Sequence, residues 1–314
     1  MPKVLFTFPI KEQFRNELEK EFSEAEFDFS GTMENAERKH PDILVTYGSD
    51  LDAASLGGLP DLKWVMVASA GVDQLPLKEL GERDILVTNS SGIHKTPMAE
   101  TVLAHILSLK RALPQLREQQ KQKVWEKVKS GELKGSTALI LGPGSIGGEI
   151  GRLLQAFGVR TIGCSRSGST HDGMHEDISF DCIDEHLPEA DYVISVLPST
   201  PETRWLLNEE HFKRMKNTAV FLNFGRGDLV KEEVIIEALK NKEIAQAVLD
   251  VFEQEPLPET NPLWKLENCT VSPHVSALSA KYVERALEIF KENLRVWLSS
   301  EGSYKNIVEP DRGY

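Results

Sequence analysis

The reactive side chains of this sequence stand just past apolar runs. Ala219-Val220-Phe221-Leu222-Asn223 leads into Phe224-Gly225-Arg226-Gly227. Ala247-Val248-Leu249-Asp250-Val251 leads into Phe252-Glu253-Gln254-Glu255-Pro256, and Thr270-Val271-Ser272-Pro273 into His274. A guanidinium offers a planar fork of donors to a carboxylate. A carboxylate beside an imidazole orients a proton donor. Upstream, Leu139-Ile140-Leu141-Gly142-Pro143-Gly144-Ser145-Ile146-Gly147 spells G-x-G-x-x-G between an apolar run and a helical pattern. There Gly142 makes the turn, Gly144 admits a pyrophosphate to the backbone, and Gly147 brings helix and strand together. The N-terminus of the following helix, at Ser145 and Ile146 within 144–157, offers free N–H groups to the phosphates. Taken alone, Glu255 before Pro256 reads equally as a turn, and His274 first as a satisfied core histidine. The glycines flanking Arg226 let something approach the backbone, which favours a ligand role for it.

The elements that must position these groups alternate. Strands are expected at 4–8, 42–46, 63–68 and 85–88, with a helix carrying Phe14, Leu18 and Phe22 on one face. A second series, 137–141, 159–163, 191–197, 218–223, 246–251 and 269–272, is separated by helices at 144–157, 208–215 and 231–240. Such alternation predicts α/β architecture with parallel sheets covered on both faces. In an open parallel sheet, ligands sit at the carboxyl ends of the strands. That edge carries the glycine turn, Arg226, Glu255 and His274 alike. Thr96 is expected to cap a long, broadly apolar helix with Pro97 at its first position. A last helix, 281–298, sets Val283, Leu287, Phe290, Leu294 and Trp297 on one stripe, and the tail beyond it reads as extended and polar. The segment 115–134 reads as a solvated surface stretch with Trp125 as an isolated anchor.

At 314 residues the chain has room for two cores, and its net charge of −13 argues against nucleic acid or an anionic membrane as partner. No apolar run reaches the ~18 residues of a membrane span, and Met1-Pro2-Lys3-Val4-Leu5-Phe6 does not make a signal peptide. Cys164, Cys182 and Cys269 lack C-x-x-C spacing, which fits reduced thiols and a cytoplasmic location. His171 and His175 have the spacing of a metal pair, but glycines at 168 and 173 put them in a loop, so no metal is expected.

The motifs together resemble the D-isomer-specific 2-hydroxyacid dehydrogenases along nearly the whole chain. The resemblance adds Ala70-Gly71-Val72-Asp73, Val87-Thr88-Asn89, Met98-Ala99-Glu100 and Leu197-Pro198-Ser199-Thr200-Pro201-Glu202-Thr203 to the runs above. It is to a branch that acts on glyoxylate and hydroxypyruvate. It implies two Rossmann-like doubly wound domains. One is a flavodoxin-like substrate domain from 1–97 and 278–314; the other is a dinucleotide-binding domain, 98–277, inserted into it. It implies reversible reduction of a 2-oxo acid to a D-2-hydroxy acid by hydride from NAD(P)H. Arg226 would hold the substrate, His274 would supply the proton and Glu255 would fix its tautomer. Backbone N–H groups of Ala70 and Gly71 would take the substrate carboxylate. Cofactor contacts would fall at Gly142, Gly144, Ser145, Ile146, Gly147, Ser165, Arg166, Leu197, Pro198, Thr203, Phe224, Gly225 and Asp250. A homodimer through the nucleotide domains is implied as well.

An NAD site needs a carboxylate about 20 residues past the glycines, on the ribose diol. Here the second strand runs into Cys164-Ser165-Arg166-Ser167. A carboxylate would repel a 2′-phosphate by ~4 kcal/mol at 4 Å and an effective dielectric near 20. Its absence, with Arg166 present, favours NADP(H) over NAD(H). Two competing readings share the fold. A corepressor that senses the cofactor without turnover keeps the same glycine loop, and a formate dehydrogenase is disfavoured by Glu255.

Overall fold

The computed structural model of the protein describes all residues except Ser30, Asp73 and 310–314, and leaves out the side chains of Glu37 and Arg38. Asp73 of the Ala70–Asp73 motif and the end of the tail thus lie outside the described residues. The chain divides into two compact units, Met1–His94 with Ser279–Tyr314, and Lys95–Leu278.

The first unit alternates β1 (Lys3–Phe6), α1 (Glu12–Glu21), β2 (Glu26–Asp28), α2 (Met33–Lys39), β3 (Ile43–Thr46), α3 (Ala53–Gly57), β4 (Trp64–Val67), α4 (Leu77–Glu82) and β5 (Leu86–Asn89). Its five strands run in the order β2-β1-β3-β4-β5, every ladder parallel. That is the flavodoxin-like order. Strands β3 and β4 are buried at every position, as a sheet covered on both faces demands.

The second unit begins with α5 (Lys95–Lys110) and α6 (Leu113–Gln122). It then builds β6 (Thr137–Leu141), α7 (Ser145–Ala156), β7 (Arg160–Ser165), β8 (Glu176–Ser179), α8 (Ile183–His186), β9 (Tyr192–Ser195), α9 (Glu209–Arg214), β10 (Val220–Asn223), α10 (Glu232–Lys240), β11 (Gln246–Leu249) and β12 (Cys269–Val271). The order is β12-β11-β10-β9-β6-β7-β8, again all parallel. The strand order reverses between β6 and β9, and the glycine turn leaves β6 at that switch point. Helix α5 packs along α7, and its Met98, Ala99, Val102 and Ile106 join Ile150 and Leu154 in one core.

After the second unit the chain returns to the first as α11 (Tyr282–Ser299). Leu287, Phe290 and Leu294 of its expected stripe are buried against Val4, Phe6 and Trp64, each worth roughly 1.5–3 kcal/mol. Trp64 stacks on Phe290 and Trp297, with centroids 5.6 Å apart in both pairs.

Three expectations change. Helix α5 starts at Lys95, so Thr96 is already helical and Pro97 stands at the third position. Proline is tolerated there because the first four N–H groups of a helix have no internal partner. The tail is not merely extended: Val308 N–H donates to Val87 O (2.9 Å) and Ile307 bridges Thr88 antiparallel. The 115–134 segment opens within helix α6, which has no buried residue, and Trp125 beyond it is fully exposed rather than an anchor.

Candidate functional site

Register lines up the carboxyl edge of the larger sheet. Leu141 pairs Ser195, Ser195 pairs Asn223, Asn223 pairs Leu249, and Leu249 pairs Val271. The residues just past each strand therefore emerge side by side.

At the switch point Gly142 has φ +93, a left-handed conformation that favours glycine, and its N–H donates to Cys164 O (2.9 Å). Gly147 is the packing glycine: a Cβ there would stand 2.2 Å from Gly142 O. Gly144, the N-cap of α7, would meet nothing within 4 Å, and no side chain caps the helix. The exposed Ser145 and half-buried Ile146 open its first turn. Free N–H groups, an open face at Gly144 and the positive end of a three-turn helix fit a dinucleotide pyrophosphate.

Strand β7 ends at Ser165 beside this turn, since Cys164 pairs Leu141. Ser165 Oγ accepts from Gly168 N–H (3.2 Å), and Arg166 is exposed. The loop after Gly168 lies on α7, where Cβ atoms at Gly148 and Gly151 would stand 2.9 Å from Asp172 O and 2.2 Å from Gly173 O. His171 pairs with Asp177 at 3.0 Å, and His175 Nδ1 accepts from Thr161 N–H at 3.1 Å. Among the described residues no group of His, Cys, Asp and Glu is arranged to hold a metal ion.

Beyond β9, Leu197 is 7 % exposed and Thr203 Oγ1 donates to Pro198 O (2.6 Å), which closes the 198–203 loop. Phe224 is a core side chain, so it and Leu197 offer backbone to the edge rather than side chain. The flanking glycines of Arg226 are met by backbone of the chain itself. A Cβ at Gly225 would lie 2.4 Å from Leu197 O, and one at Gly227 2.0 Å from Phe252 O. Asn223, not among the expected site residues, clamps the turn: its Oδ1 accepts from Gly225 N–H (3.2 Å) and its Nδ2 donates to Arg226 O (3.0 Å). Arg226 is exposed, and its Nη1 donates to Gly225 O (2.9 Å).

Glu255 and His274 meet. His274 Nδ1 lies 2.8 Å from Glu255 Oε2, and Glu255 Oε1 accepts from Phe252 N–H (3.1 Å). The carboxylate thus ties the imidazole to the backbone of its own loop. The pair fixes the Nδ1–H tautomer and leaves Nε2, on a ring about half exposed, for a reacting atom. His274 has φ +51, strained for a residue with a Cβ, and its N–H donates to Asp250 O (2.9 Å).

Asp250, expected at the cofactor, is wholly buried, and its carboxylate holds the histidine loop. Oδ1 accepts from Ser272 Oγ (2.5 Å) and Val275 N–H (3.0 Å), and Oδ2 from Ser276 N–H (3.0 Å). His105 has its ring 6.0 Å from that of Phe224. Burial pushes its pKa down, against the opposing charge of Asp250.

In the first unit, β4 runs into Ser69-Ala70-Gly71. The carbonyl of Ala70 accepts from Asn89 Nδ2 (2.8 Å) and that of Gly71 from Ser69 Oγ (2.9 Å). With both carbonyls tied back, the Ala70 and Gly71 N–H groups donate to none of the described residues. Adjacent N–H groups with no acceptor among the described residues offer a nest to an anion. A crevice of about 270 Å³ beside it is lined by Tyr47, Gly48, Ser69, Gly71, Val72, Gln74 and Leu75.

Residues 103–276 match the family model described as D-isomer specific 2-hydroxyacid dehydrogenase, NAD binding domain. A glyoxylate reductase of Thermofilum pendens is 33% identical over 267 residues, 82% of this chain and 78% of that protein. The structure of a D-isomer specific 2-hydroxyacid dehydrogenase family protein from Aeromonas salmonicida superposes with TM-score 0.86 at 33% identity, covering 99% of each chain. An NADPH-dependent glyoxylate/hydroxypyruvate reductase from Sinorhizobium meliloti, solved with NADP and sulfate, gives TM-score 0.80 at 28% identity over 100% of both chains.

Proposed function

Because the chain belongs to the D-isomer specific 2-hydroxyacid dehydrogenase family, we propose that it reduces a small 2-oxo acid of the glyoxylate and hydroxypyruvate class, with NADPH preferred over NADH. The product is the D-2-hydroxy acid and the reaction is reversible. The observation that carries this reading is the 2.8 Å pair of His274 and Glu255 on the sheet edge that also bears the glycine turn.

When bound, a nicotinamide cofactor supplies the hydride. The chain's own groups do the rest. Negative charge builds on the oxo oxygen as C2 is reduced, and His274 Nε2–H gives it a proton. Glu255 stabilises the imidazolium before that transfer and holds the ring in place after it. Arg226 offers its fork to the substrate's carboxylate and oxo oxygens. The Ala70 and Gly71 N–H groups bind the carboxylate, and the crevice beside them suits a short side chain. Asp250 acts from below, by holding the loop of His274.

The end of β7 supports the preference for NADPH. Ser165 and Arg166 stand where a ribose-binding carboxylate would otherwise repel the 2′-phosphate. The NADP held by the Sinorhizobium relative agrees with that direction. We further read the protein as a cytoplasmic homodimer. Three free cysteines suit a reducing compartment, and exposed Leu113, Leu116, Val124 and Trp125 offer the second unit an apolar surface for a second copy.

Steady-state kinetics with glyoxylate, hydroxypyruvate and pyruvate, each with NADPH and NADH, test the reading. The expected result is turnover of the first two, glyoxylate to achiral glycolate and hydroxypyruvate to the D-acid, and a higher kcat/KM with NADPH. Cofactor binding without turnover of any 2-oxo acid would establish a sensor instead.

A further inference from the structure

The nest at Ala70–Gly71 is braced from the far end of the chain. A trans peptide plane sets the carbonyl of one residue opposite the N–H of the next. Whatever fixes the Ala70 carbonyl therefore aims the Gly71 N–H. That brace is Asn89 Nδ2, at 2.8 Å.

Asn89 ends β5, an edge strand, and is 7 % exposed. Its backbone is gripped in both directions by Asn306. Asn89 N–H donates to Asn306 O (3.0 Å), and Asn306 Nδ2 donates to Asn89 O (3.2 Å) and to Ser91 O (2.9 Å). Asn306 has φ +53, a conformation asparagine tolerates better than most residues. It is held in turn by the fully buried Asn293 of α11. Asn293 Nδ2 donates to Lys305 O (3.0 Å), and its Oδ1 accepts from Lys305 N–H (2.7 Å). Three asparagines thus link α11, the strap 305–308, the end of β5 and the nest in series.

We propose that Asn306 is a positioning residue for substrate binding: through Asn89 it orients the Ala70–Gly71 peptide plane, so the C-terminal strap sets affinity for the carboxylate of the 2-oxo acid. The inference rests on the reading that this nest takes that carboxylate. Nothing in the strap needs to touch substrate. Its amide pins the carbonyls of Asn89 and Ser91 at the end of the strand, where β5 would otherwise fray and release the Asn89 side chain.

The test uses the full-length enzyme. Asn306→Gly keeps the left-handed backbone and deletes the amide, and Asn306→Asp replaces the donor with an acceptor of the same shape. Asn89→Asp cuts the next link, and Gly71→Pro removes the aimed N–H itself. Each variant is measured for the KM of glyoxylate, kcat, NADPH affinity and melting temperature. The two Asn306 variants and Asn89→Asp should raise KM roughly tenfold, the scale of one lost hydrogen bond, with kcat and NADPH affinity near wild type. Because the links act in series, the double variant Asn306→Gly/Asn89→Asp should be no worse in KM than Asn89→Asp alone. A lowered melting temperature with unchanged KM would mean a purely structural strap and overturn the inference, as would KM effects that multiply in the double variant. If Gly71→Pro raises KM and Asn306→Gly does not, the strap inference alone falls. If Gly71→Pro leaves KM unchanged, the nest reading falls and takes the inference with it.

Discussion

Replacing Asp250 by asparagine probes how the proton donor is held. In the wild type the carboxylate receives three donors, from Ser272, Val275 and Ser276, at 2.5, 3.0 and 3.0 Å. In the variant the remaining oxygen keeps the Ser272 and Val275 bonds, and the new NH2 faces the Ser276 N–H. Ser276 is 4 % exposed, so no water replaces the lost acceptor. An orphaned buried donor costs about 1–3 kcal/mol. Left-handed backbone at His274 (φ +51) costs a further ~1–2 kcal/mol, which the intact clamp overcomes. The two penalties are of the same size, so the loop of the variant spends much of its time with His274 released. A loss of about 2 kcal/mol in transition-state stabilisation is a fall of roughly thirtyfold in kcat/KM. The assay is glyoxylate reduction under NADPH saturation, with NADPH affinity measured separately by fluorescence. Affinity should change little, because the carboxylate has no exposed face. A folded Asp250→Asn enzyme with kcat/KM within twofold of wild type would refute the clamp. A collapse of NADPH affinity alone would return Asp250 to the cofactor.

The remaining expectations concern the glycine turn and pH. Gly147→Ala puts a Cβ 2.2 Å from Gly142 O and must push helix from strand by about 1 Å, so both melting temperature and cofactor affinity should fall. Gly144→Ala meets nothing within 4 Å and should keep its melting temperature while losing cofactor affinity; equal behaviour of the two in scanning fluorimetry and cofactor titration would contradict their separate roles. Burial also lowers the pKa of His211, whose Nδ1 must stay unprotonated to accept Asn208 N–H (3.0 Å) in the capping box of α9. A folded pKa below the unfolded value near 6.5 gives stability that is complete above that value and lost as pH falls through the folded pKa. His105 contributes in the same sense. His211→Gln preserves the box without titrating, so its melting temperature should drop less between about pH 7 and about pH 5; an identical slope would remove His211 from the explanation.

Much of this architecture is legible in the sequence because buried parallel strands are short, continuous apolar runs. Strands β3, β4, β6 and β9 announce themselves that way. β2 and β8 escape notice, being edge strands of three and four residues, Glu-Phe-Asp and Glu-Asp-Ile-Ser, with little buried. The proton-transfer pair is legible from the polar residues just past β11 and β12, since the carboxyl edge is where polar groups gather. The side chains that support the pair are not. Asn89, Asn223 and Asn306 act through hydrogen bonds between side-chain amides and backbone groups, and no periodicity marks such bonds. The glycines at 225 and 227 signal close approach, but only the fold reveals that Leu197 and Phe252 are what approach. The left-handed backbone of His274 has no composition signature either, because histidine seldom adopts it.

The most direct test of the central claim is the turnover of His274→Ala with NADPH and glyoxylate, read beside its NADPH affinity. A positioned general acid contributes about 10²–10⁴-fold. Loss of that acid should therefore lower kcat by roughly three orders of magnitude with NADPH affinity near wild type. Turnover within tenfold of wild type would show that the proton comes from elsewhere and contradict the role given to the His274–Glu255 pair.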